Sequence, residues 1–426
     1  MVAYNQTNLG RVYVSAQSDY ETAVAAATVV SSGMPLEAAF YAPPTTREVF
    51  ERAAMKGGFY DIPPIEGSKH GGTFSISMPL HGYSSSLPTA NPATHPEYLF
   101  IKAVLGGGIT SNYFAGDVVA SGSDADTIKV SASPMEEYRV GSGIGILSGD
   151  GSSYGTGFIE SLSEPAVTVE LRVPMSFSTV TDSSTAYGSN TAYLSTDVTS
   201  AFTFVTRSRT NNSQLQLVGC VPTSVTISMG PKAQMMCDVD FICNGVNASA
   251  ASSALTDFDF TYPVMPAPIG SAAARLCYLS GSSAVDMDVE NFAITMSQTL
   301  TPQLGHGATS GVRDLMVTDR DVSMSFGSIL GSVNPYDSSP DGIPQVDLEN
   351  TTANLAKSVQ FTIDGGNPGN SFGCILLSPV NVNPPELSDS NGVLVSNYTL
   401  KPGNYSGDTV DASDLAGNSD FRVAFV

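Results

Sequence analysis

The sequence contains no tryptophan, and aromatic side chains make up only 8% of its 426 residues. Proteins that hold unpaired bases or sugar rings by stacking present clusters of aromatic side chains. Because the aromatic residues of this chain are few and dispersed, the composition argues against a carbohydrate-binding surface and against a platform for single-stranded nucleic acid.

Basic side chains are also scarce: 18 Lys and Arg stand against 40 Asp and Glu, for a net charge of −22. Nucleic-acid-binding proteins neutralise phosphates with cations and so release counterions. A chain this acidic would repel a polyanion instead. Acidity of this kind also serves solubility alone, so it excludes phosphate neutralisation without fixing a function.

Cysteine and histidine are few and show no metal-binding spacing. The five cysteines lie among apolar neighbours at Cys220, Cys237, Cys243, Cys277 and Cys374. We expect buried free thiols and a reducing compartment. The four histidines are scattered, without a second ligand close by in the sequence: His70, His81, His95 and His306. We therefore predict no metal site.

Long hydrophobic runs are missing as well. The apolar run Ala23–Val30 is short and follows Asp19 and Glu21 rather than a basic segment. We expect neither a signal peptide nor a membrane span. Charged residues make up only 14% of the chain, which is low for the surface of a free-standing soluble monomer. A polar, uncharged surface suits a protein whose flanks are covered by neighbouring subunits.

The dominant pattern is alternation of apolar and small polar residues, which predicts strands with one buried and one wet face. It is clearest in Thr73–Met78, and Asn291–Met296 repeats the order Phe-x-Ile-x-Met. Thr223–Met229 and Gln234–Asn244 form a predicted hairpin around the turn at Gly230. Further strands are predicted at Thr127–Ala132, Tyr138–Leu147, Ala166–Val173, Phe202–Arg207, Leu215–Val218, Val322–Phe326, Val359–Ile363, Phe372–Leu377, Gly392–Leu400 and Phe421–Val426.

Helices are few. Helical spacing and capping residues predict Thr46–Lys56 and Pro96–Leu105, and a short helix is possible at Thr352–Lys357. The segments 106–126, 148–164, 178–200 and 332–351 are predicted to be long loops that become ordered against other subunits.

These patterns predict an all-β protein with one or two short helices, in the sandwich or barrel class. We expect an N-terminal arm with a short helix at 1–66, a first β-sandwich domain at 67–250, a linker at 251–284 and a second β domain at 285–426. The repeated pentads and the repeated order of strand, loop, helix and strands favour a duplication.

No motif predicts catalysis. Gly151–Gly155 fits the nucleophile elbow of serine hydrolases, but no long helix follows it. Gly141–Gly145 lacks the helix of a phosphate cradle and predicts a loosened strand or bulge. The acidic segment Asp337–Asp341 fits a solvated turn better than a calcium loop. Asp286, Asp288 and Glu290 are predicted to form an exposed acidic face on one side of a strand. We thus assign no catalytic, cofactor-binding or metal-binding residues, and expect no enzyme.

The chain resembles the major tail tube proteins of long-tailed (siphovirus-type) bacteriophages. Gly72–Met78 followed by the helix of His95–Gly108 resembles the early strand and helix of that family. Gly219–Gly245, with the sequence GCVPTSVTISMGPKAQMMCDVDFICNG, resembles its long hairpin, and Val289–Ser328 with Phe372–Val426 resembles its C-terminal half. The long Ser/Gly-rich segments depart from the shorter members of the family.

The resemblance implies tandem tail-tube-type β-sandwich domains whose sheets join a ring-shaped β-barrel, and stacked rings that form a hollow tube. Three chains would close a pseudo-hexameric ring, or six if each carries one tube domain. The implied partners are a tape measure protein and a tail terminator, while the DNA genome passes through without specific binding. The implied location is the phage tail of the virion, assembled in the host cytoplasm. The alternatives are a tail terminator or a capsid decoration protein, and, less favoured, a secreted adhesin.

Overall fold

The computed structural model describes residues 10–36, 46–50, 65–70, 72–82, 96–109, 116–124, 127–130, 138–163, 167–171, 180–196, 200–208, 213–250, 274–280, 283–305, 311–329, 357–382, 386–390, 392–403, 405, 407 and 415–426. Within these residues the chain is mostly antiparallel β-structure with two short helices, which confirms the predicted all-β class.

The helices are α1 (Ala26–Ser32) and α2 (Pro96–Leu105). The strands, in chain order, are β1 (Gly10–Gln17), β2 (Met34–Leu36), β3 (Thr46–Phe50), β4 (Ile65–His70), β5 (Thr73–Pro79), β6 (Gly106–Ile109), β7 (Asp117–Val118), β8 (Thr127–Val130), β9 (Gly143–Leu147), β10 (Tyr154–Ser163), β11 (Val167–Leu171), β12 (Thr185–Tyr187), β13 (Asn190–Leu194), β14 (Ala201–Ser208), β15 (Ser213–Met229), β16 (Met236–Ile242), β17 (Gly245–Ala250), β18 (Ala274–Ser280), β19 (Ser283–Met287), β20 (Val289–Leu304), β21 (Val312–Ile329), β22 (Lys357–Ile363), β23 (Phe372–Leu377), β24 (Val380–Asn381), β25 (Glu386–Ser390), β26 (Val393–Lys401) and β27 (Phe421–Phe425).

The largest sheet has twelve strands and changes partners along β15. The first part of β15 pairs with β14 and β17, and its second part pairs with β16 and β20. The second part leads into a continuous set of strands in the order β5-β16-β15-β20-β21-β26, with β24 and β25 beyond β26. We call this set the open sheet.

A seven-stranded sheet, ordered β19-β18-β22-β23-β27-β13-β6, packs against the large sheet to complete a sandwich. Helix α2 contributes Tyr98, Phe100 and Val104 to their common core. The helix begins as predicted, with Pro96 and the acidic Glu97 in its first turn. It ends at Gly106, whose φ of 93° suits glycine.

A six-stranded unit is inserted between β6 and β13, which pair directly with each other. Its order is β7-β12-β9-β10-β11-β8, and a bridge between Val119 and Val130 joins the last strand to the first. The Ala120 amide also donates to the Lys129 carbonyl at 2.7 Å. These strands, which we call the barrel, enclose their own apolar core, which includes Ile128, Ile144, Ile146, Ile159 and Val169.

The barrel covers the outer face of the seven-stranded sheet. Tyr154 and Phe158 of β10 share a second apolar cluster with Ile375, Leu377 and Val426. All five side chains are buried, so the barrel is packed onto the sandwich rather than tethered beside it.

The predicted helix Thr46–Lys56 is wrong where the structure describes it. Thr46–Phe50 is strand β3, paired with β4. The β-branched and aromatic residues Thr46, Val49 and Phe50 favour a strand once a partner is available, and pairing then overrides the helical spacing. In the possible helix Thr352–Lys357, Lys357 begins strand β22, and the rest lies outside the described residues.

The predicted loops are also wrong over their described parts. Strands β6, β7, β10, β12 and β13 fall within 106–126, 148–164 and 178–200. They pair within the same chain, so they need no second subunit to become ordered. Their glycine-rich, short strands carry little alternation, which is why they resemble loops in the sequence. The segment 332–351 lies outside the described residues.

The predicted boundaries do not coincide with divisions between sheets. The described part of the expected arm, 1–66, contributes β1 and β2 to the large sheet. The predicted linker 251–284 includes strand β18, and β17 directly precedes it. Strands from the ranges 67–250 and 285–426 share both sheets and one core, since hydrophobic packing across them is continuous.

Candidate assembly surface

The open sheet has one apolar and one polar face. In β5, Phe74, Ile76 and Met78 are buried, whereas Thr73, Ser75 and Ser77 are exposed. The repeated pentad in β20 behaves alike, with Phe292, Ile294 and Met296 buried in the same core. The two strands differ in their connections, since β5 pairs with β16 and β20 with β15 and β21.

The strand register aligns the polar side chains into rows across the sheet. One row runs through Ser75, Asp240, Ser224, Ser297 and Asp321. The next row runs through Ser77, Asp238, Thr226, Thr295 and Ser323. We call the surface made by these two rows the hydroxyl face.

Hydrogen bonds between strands fix the side chains of the hydroxyl face. The Ser75 hydroxyl donates to Asp240 Oδ1 at 2.5 Å, and the Ser224 hydroxyl donates to Asp240 Oδ2 at 2.7 Å. The hydroxyls of Thr226 and Thr295 lie 3.3 Å apart. Cross-strand pairs of this kind stabilise a sheet and keep its surface flat and polar.

The hydroxyl face and its margin are acidic. Asp238, Asp240 and Asp321 lie in the rows, and Asp319 continues the same side of β21. Lys401 of β26 is the nearby cation, and its Nζ lies 2.7 Å from Asp321 Oδ2. The surface therefore has a net negative charge that repels polyanions rather than binding them.

Both margins of the open sheet end in strands with one partner each. Among the described residues, β5 pairs only with β16, and β24 and β25 pair only with β26. Next to β24, the side chain of Val382 is 46% exposed. An unpaired edge presents free backbone donors and acceptors that can pair with another chain.

The hairpin of β20 and β21 extends beyond the strands that flank it. Residues Leu300–Leu304 of β20 pair with β21 alone among the described strands. Leu304 is 80% exposed and Met316 is 48% exposed at this end. Met316 pairs with Thr301, three residues from Leu304 on β20, so the two side chains lie on opposite faces of the hairpin and each is a single exposed apolar side chain.

The predicted acidic face of Asp286, Asp288 and Glu290 is not one surface. Asp286 lies in β19 of the seven-stranded sheet and Glu290 in β20 of the large sheet, because the strand breaks at Asp288. Asp286 accepts a hydrogen bond from Arg275 Nε at 2.6 Å, and Glu290 accepts one from Ser390 at 2.5 Å.

The motif Gly151–Gly155 lies at a hairpin turn between β9 and β10, followed by a strand. A nucleophile elbow requires a helix at that point. Of the segment Gly141–Gly145, predicted as a loosened strand or bulge, Gly143–Gly145 begins strand β9, and Gly141 precedes it with a φ of 88°. The segment Asp337–Asp341 lies outside the described residues.

The structure describes two of the four histidines. His70 lies in β4 and His81 follows β5, while His95 and His306 lie outside the described residues. His81 is buried, and its Nδ1 lies 3.1 Å from Oε1 of the buried Glu97 at the start of α2. Among the residues that the structure describes, three or more potential metal ligands nowhere lie together.

All five cysteines are buried and reduced, as predicted. Cys277 donates a hydrogen bond to Asp286 Oδ1 at 2.6 Å. Burial and that bond hold the pKa of the Cys277 thiol far above its usual range. Burial alone raises the pKa of Cys374 similarly. Neither thiol is activated as a nucleophile.

Comparison with known proteins adds no family assignment: no family model matches the chain, and no curated protein matches it. In the described part of the chain, neither helix has the length and hydrophobicity needed to cross a bilayer.

Proposed function

We propose that this chain is a non-enzymatic structural protein of a virion, which polymerises as stacked rings into a hollow tail tube through which a DNA genome passes. The observation that carries the proposal is the combination, in one sheet, of an acidic hydroxyl face with a strand at each margin that, among the described residues, has a partner on one side only. Neither feature serves a catalytic site, and together they suit a wall of repeating subunits.

The unpaired margins supply the ring contact in this proposal. Strand β5 of one copy would lie beside β24 and β25 of the next copy, so that the open sheets continue into one another. A contact between two different surfaces of the same molecule is head-to-tail, and it closes into a ring when the rotation permits. Ring closure pairs the backbone groups that each subunit leaves unpaired.

The number of copies follows from the width of the open sheet, which is seven strands across when β24 and β25 count as one position. With strands about 4.8 Å apart and tilted by roughly 40°, the open sheets of three copies would close into a ring about 40 Å in diameter. Side chains would leave a bore of roughly 30 Å, enough for a DNA duplex about 20 Å wide. Six copies would give a ring about 85 Å in diameter, so we favour three chains per ring.

The hydroxyl face would line the bore. Its aspartates repel phosphates, and Lys401 is held by Asp321, so a passing duplex meets no free cation on the rows of this face. Hydroxyl groups keep the wall wetted without fixing a counterion. DNA would therefore slide without being bound.

The projecting end of the β20–β21 hairpin would contact the next ring. Burying the exposed Leu304 side chain contributes about 1.5–3 kcal/mol per contact. A ring repeats that contact once per subunit, which favours stacking over isolated rings. The tape measure protein and the tail terminator remain the proposed partners at the interior and the end of the tube.

Negative-stain electron microscopy of the purified protein tests the proposal. We expect rings or tubes whose end views show three-fold repetition. A uniform monomer at high protein concentration would contradict the assembly. Six identical subunits per ring would contradict the three-fold closure of the open sheets but would still be consistent with a tube.

A further inference from the structure

Two cysteines lie at the point where the large sheet changes partners. β15 pairs with β14 and β17 up to Cys220 and with β16 from Val221 onward. Gly219, with a φ of 61°, makes the bend. The Asn244 amide donates to the carbonyls of Val218 and Gly219, at 3.0 and 3.2 Å. The two parts of the sheet are thus joined through a few residues on each strand.

A β-bulge brings the two cysteines opposite each other. Strands β15 and β16 keep one register from Ser228 to Ser224. If that register continued along β15, Cys220 would lie opposite Asn244. The register shifts between Pro222 and Ser224, so that Val221 faces Ile242 and the next position faces Cys243. The extra residue in β15 therefore moves Cys220 into register with Cys243.

The two thiols lie in the same core on paired strands. Cys220 is 0% exposed and Cys243 is 1% exposed, and both belong to the core of the sandwich. Cys243 Sγ donates a hydrogen bond to the Gly245 carbonyl at 3.3 Å, and the two thiols are close enough for each to shift the pKa of the other. Neighbouring positions on paired strands fall within the Cα separation that a disulfide tolerates, about 4.4–6.8 Å.

Burial opposes ionisation of both thiols. It raises the pKa of the Cys220 thiol well above its usual range. The interaction with Cys220 lowers the pKa of the Cys243 thiol, although burial acts against it. A thiolate is the species that attacks a disulfide, so exchange begins when local opening of the core lets either thiol ionise.

We propose that Cys220 and Cys243 are a reversible redox site, which a small-molecule disulfide such as oxidised glutathione converts into an intrachain disulfide across the bend. One of the two thiols gives its proton to solvent, and its thiolate attacks one sulfur of the oxidant and releases one small thiolate, which takes up a proton. The other thiol then gives its proton to solvent and displaces the second small thiolate, which is protonated in turn. Two protein thiols are oxidised, and one small disulfide is reduced to two thiols.

The other three cysteines are internal controls, because none faces another thiol. Cys237 in β16 lies opposite Ile227 and Met78. Cys277 in β18 and Cys374 in β23 are separated by β22, where their neighbours are Gln360 and Phe361. We expect these three thiols to stay reduced under conditions that link Cys220 to Cys243.

Equilibration in glutathione buffers tests the proposal. Because both thiols are buried, exchange needs local opening, so the intact chain is brought to equilibrium from the reduced side and from protein refolded in oxidised glutathione. After alkylation, peptide mass mapping should find Cys220 linked to Cys243 from both starting points, with the other three cysteines alkylated. Dithiothreitol should restore both thiols. Alkylation of Cys220 and Cys243 in the most oxidising buffer, or a different pairing, would overturn the proposal.

Thermal unfolding gives a second readout, since a cross-link constrains the unfolded chain. Oxidation should raise the Tm of the wild type and of the control variant Cys237→Ala by roughly 4 °C. It should leave the Tm of Cys243→Ala and of Cys220→Ala unchanged. An equal rise in all four proteins would show that oxidation acts elsewhere and would sink the assignment. The proposed disulfide between Cys220 and Cys243 does not depend on whether the chain forms rings.

Discussion

The barrel and the open sheet solve the problem of strand edges in opposite ways. The barrel closes on itself through the contact between Val119 and Val130, so its backbone groups are paired within the chain. The open sheet, among the described residues, ends in β5 on one side and in β24 and β25 on the other. A closed sheet leaves no edge for another chain, whereas an open edge can pair with one.

The two regions also differ in what covers their faces. The barrel packs Phe158 against the apolar outer face of the seven-stranded sheet. The open sheet packs its apolar face into the sandwich core and leaves the hydroxyl face to solvent. We infer that the barrel stabilises each subunit, and that the open sheet serves assembly.

The largest expected effect is the loss of rings when the margin of the open sheet is charged. Val382→Lys places a cation beside β24, where it opposes the pairing of a second copy and removes apolar contact area. We expect the protein concentration needed for assembly to rise more than tenfold, measured by light scattering and electron microscopy.

The matched control for that variant is Val118→Lys. Val118 is also exposed, at 58%, but it lies in β7 of the barrel. Its substitution should leave assembly at the wild-type concentration. An equal loss of rings in both variants would erase the distinction between the two regions.

The second prediction concerns the contact between the barrel and the sandwich. Phe158→Ala removes a fully buried ring that packs with Ile375 and Leu377. The free energy of unfolding should fall by about 3–5 kcal/mol. Urea denaturation followed by circular dichroism measures it, with the milder Phe158→Leu as the control.

If the barrel only stabilises the subunit, Phe158→Ala should still form rings in the cold, where most molecules remain folded. Folded Phe158→Ala monomers that fail to assemble would mean that the barrel takes part in the ring contact.

A smaller effect is expected from Asp420, which precedes β27. Burial raises the pKa of its carboxyl to about 6, although Arg422 acts in the opposite direction. Since the folded-state pKa lies above the unfolded one, this group stabilises the protein most at low pH. That contribution is lost as pH rises from about 4 to about 6.

At neutral pH the partly buried, charged carboxylate of Asp420 destabilises the folded state, and Asp420→Asn replaces it with a neutral amide. Because the group is partly exposed, we discount the shift and expect a gain of about 1 kcal/mol at pH 7. Near pH 4 the variant and the wild type should be nearly equal. Urea denaturation at both pH values measures the difference, and a gain of the same size at both would refute the burial argument.

The smallest expected effect is kinetic. Asp238→Lys replaces a half-exposed acid in the second row of the hydroxyl face with a cation. Tubes should form normally, but DNA release should slow several-fold, more strongly at low salt because phosphate attraction is then less screened. Dye entry into DNA-filled particles would measure the rate.

Asp182→Lys makes the same charge change on an exposed turn of the barrel, outside the proposed bore. Release at the wild-type rate is expected there. Equal slowing in both variants would indicate a general charge effect and would remove the hydroxyl face from the bore.

Local patterns predicted those elements whose residues interact mostly with near neighbours. The alternation in Thr73–Met78, the capping residues of Pro96–Leu105 and the turn after Met229 each predict an element that the structure confirms. Strand β9 lies within the predicted strand Tyr138–Leu147, but β10 was predicted as a loop, because its glycines leave little alternation to detect. Thr46–Phe50 was wrong because its strand depends on β4.

The surfaces that matter most could not be predicted, because they depend on register between distant strands. The Ser/Thr pattern of β5 is visible in the sequence, but its alignment with Asp240 joins residues 165 positions apart. The alignment of Cys220 with Cys243 depends on a single bulge at Thr223. One extra residue on a strand changes which side chains face each other, and the amino-acid composition does not reveal where such a bulge lies.

Cryo-electron microscopy of the assembled particle tests the central claim most directly, since it locates both margins of the open sheet at once. The account predicts that β5 of one copy lies beside β24 and β25 of its neighbour, with Ser75, Asp240 and Asp321 facing an open bore. Rings held together through the barrels, or a bore lined by another surface, would contradict it.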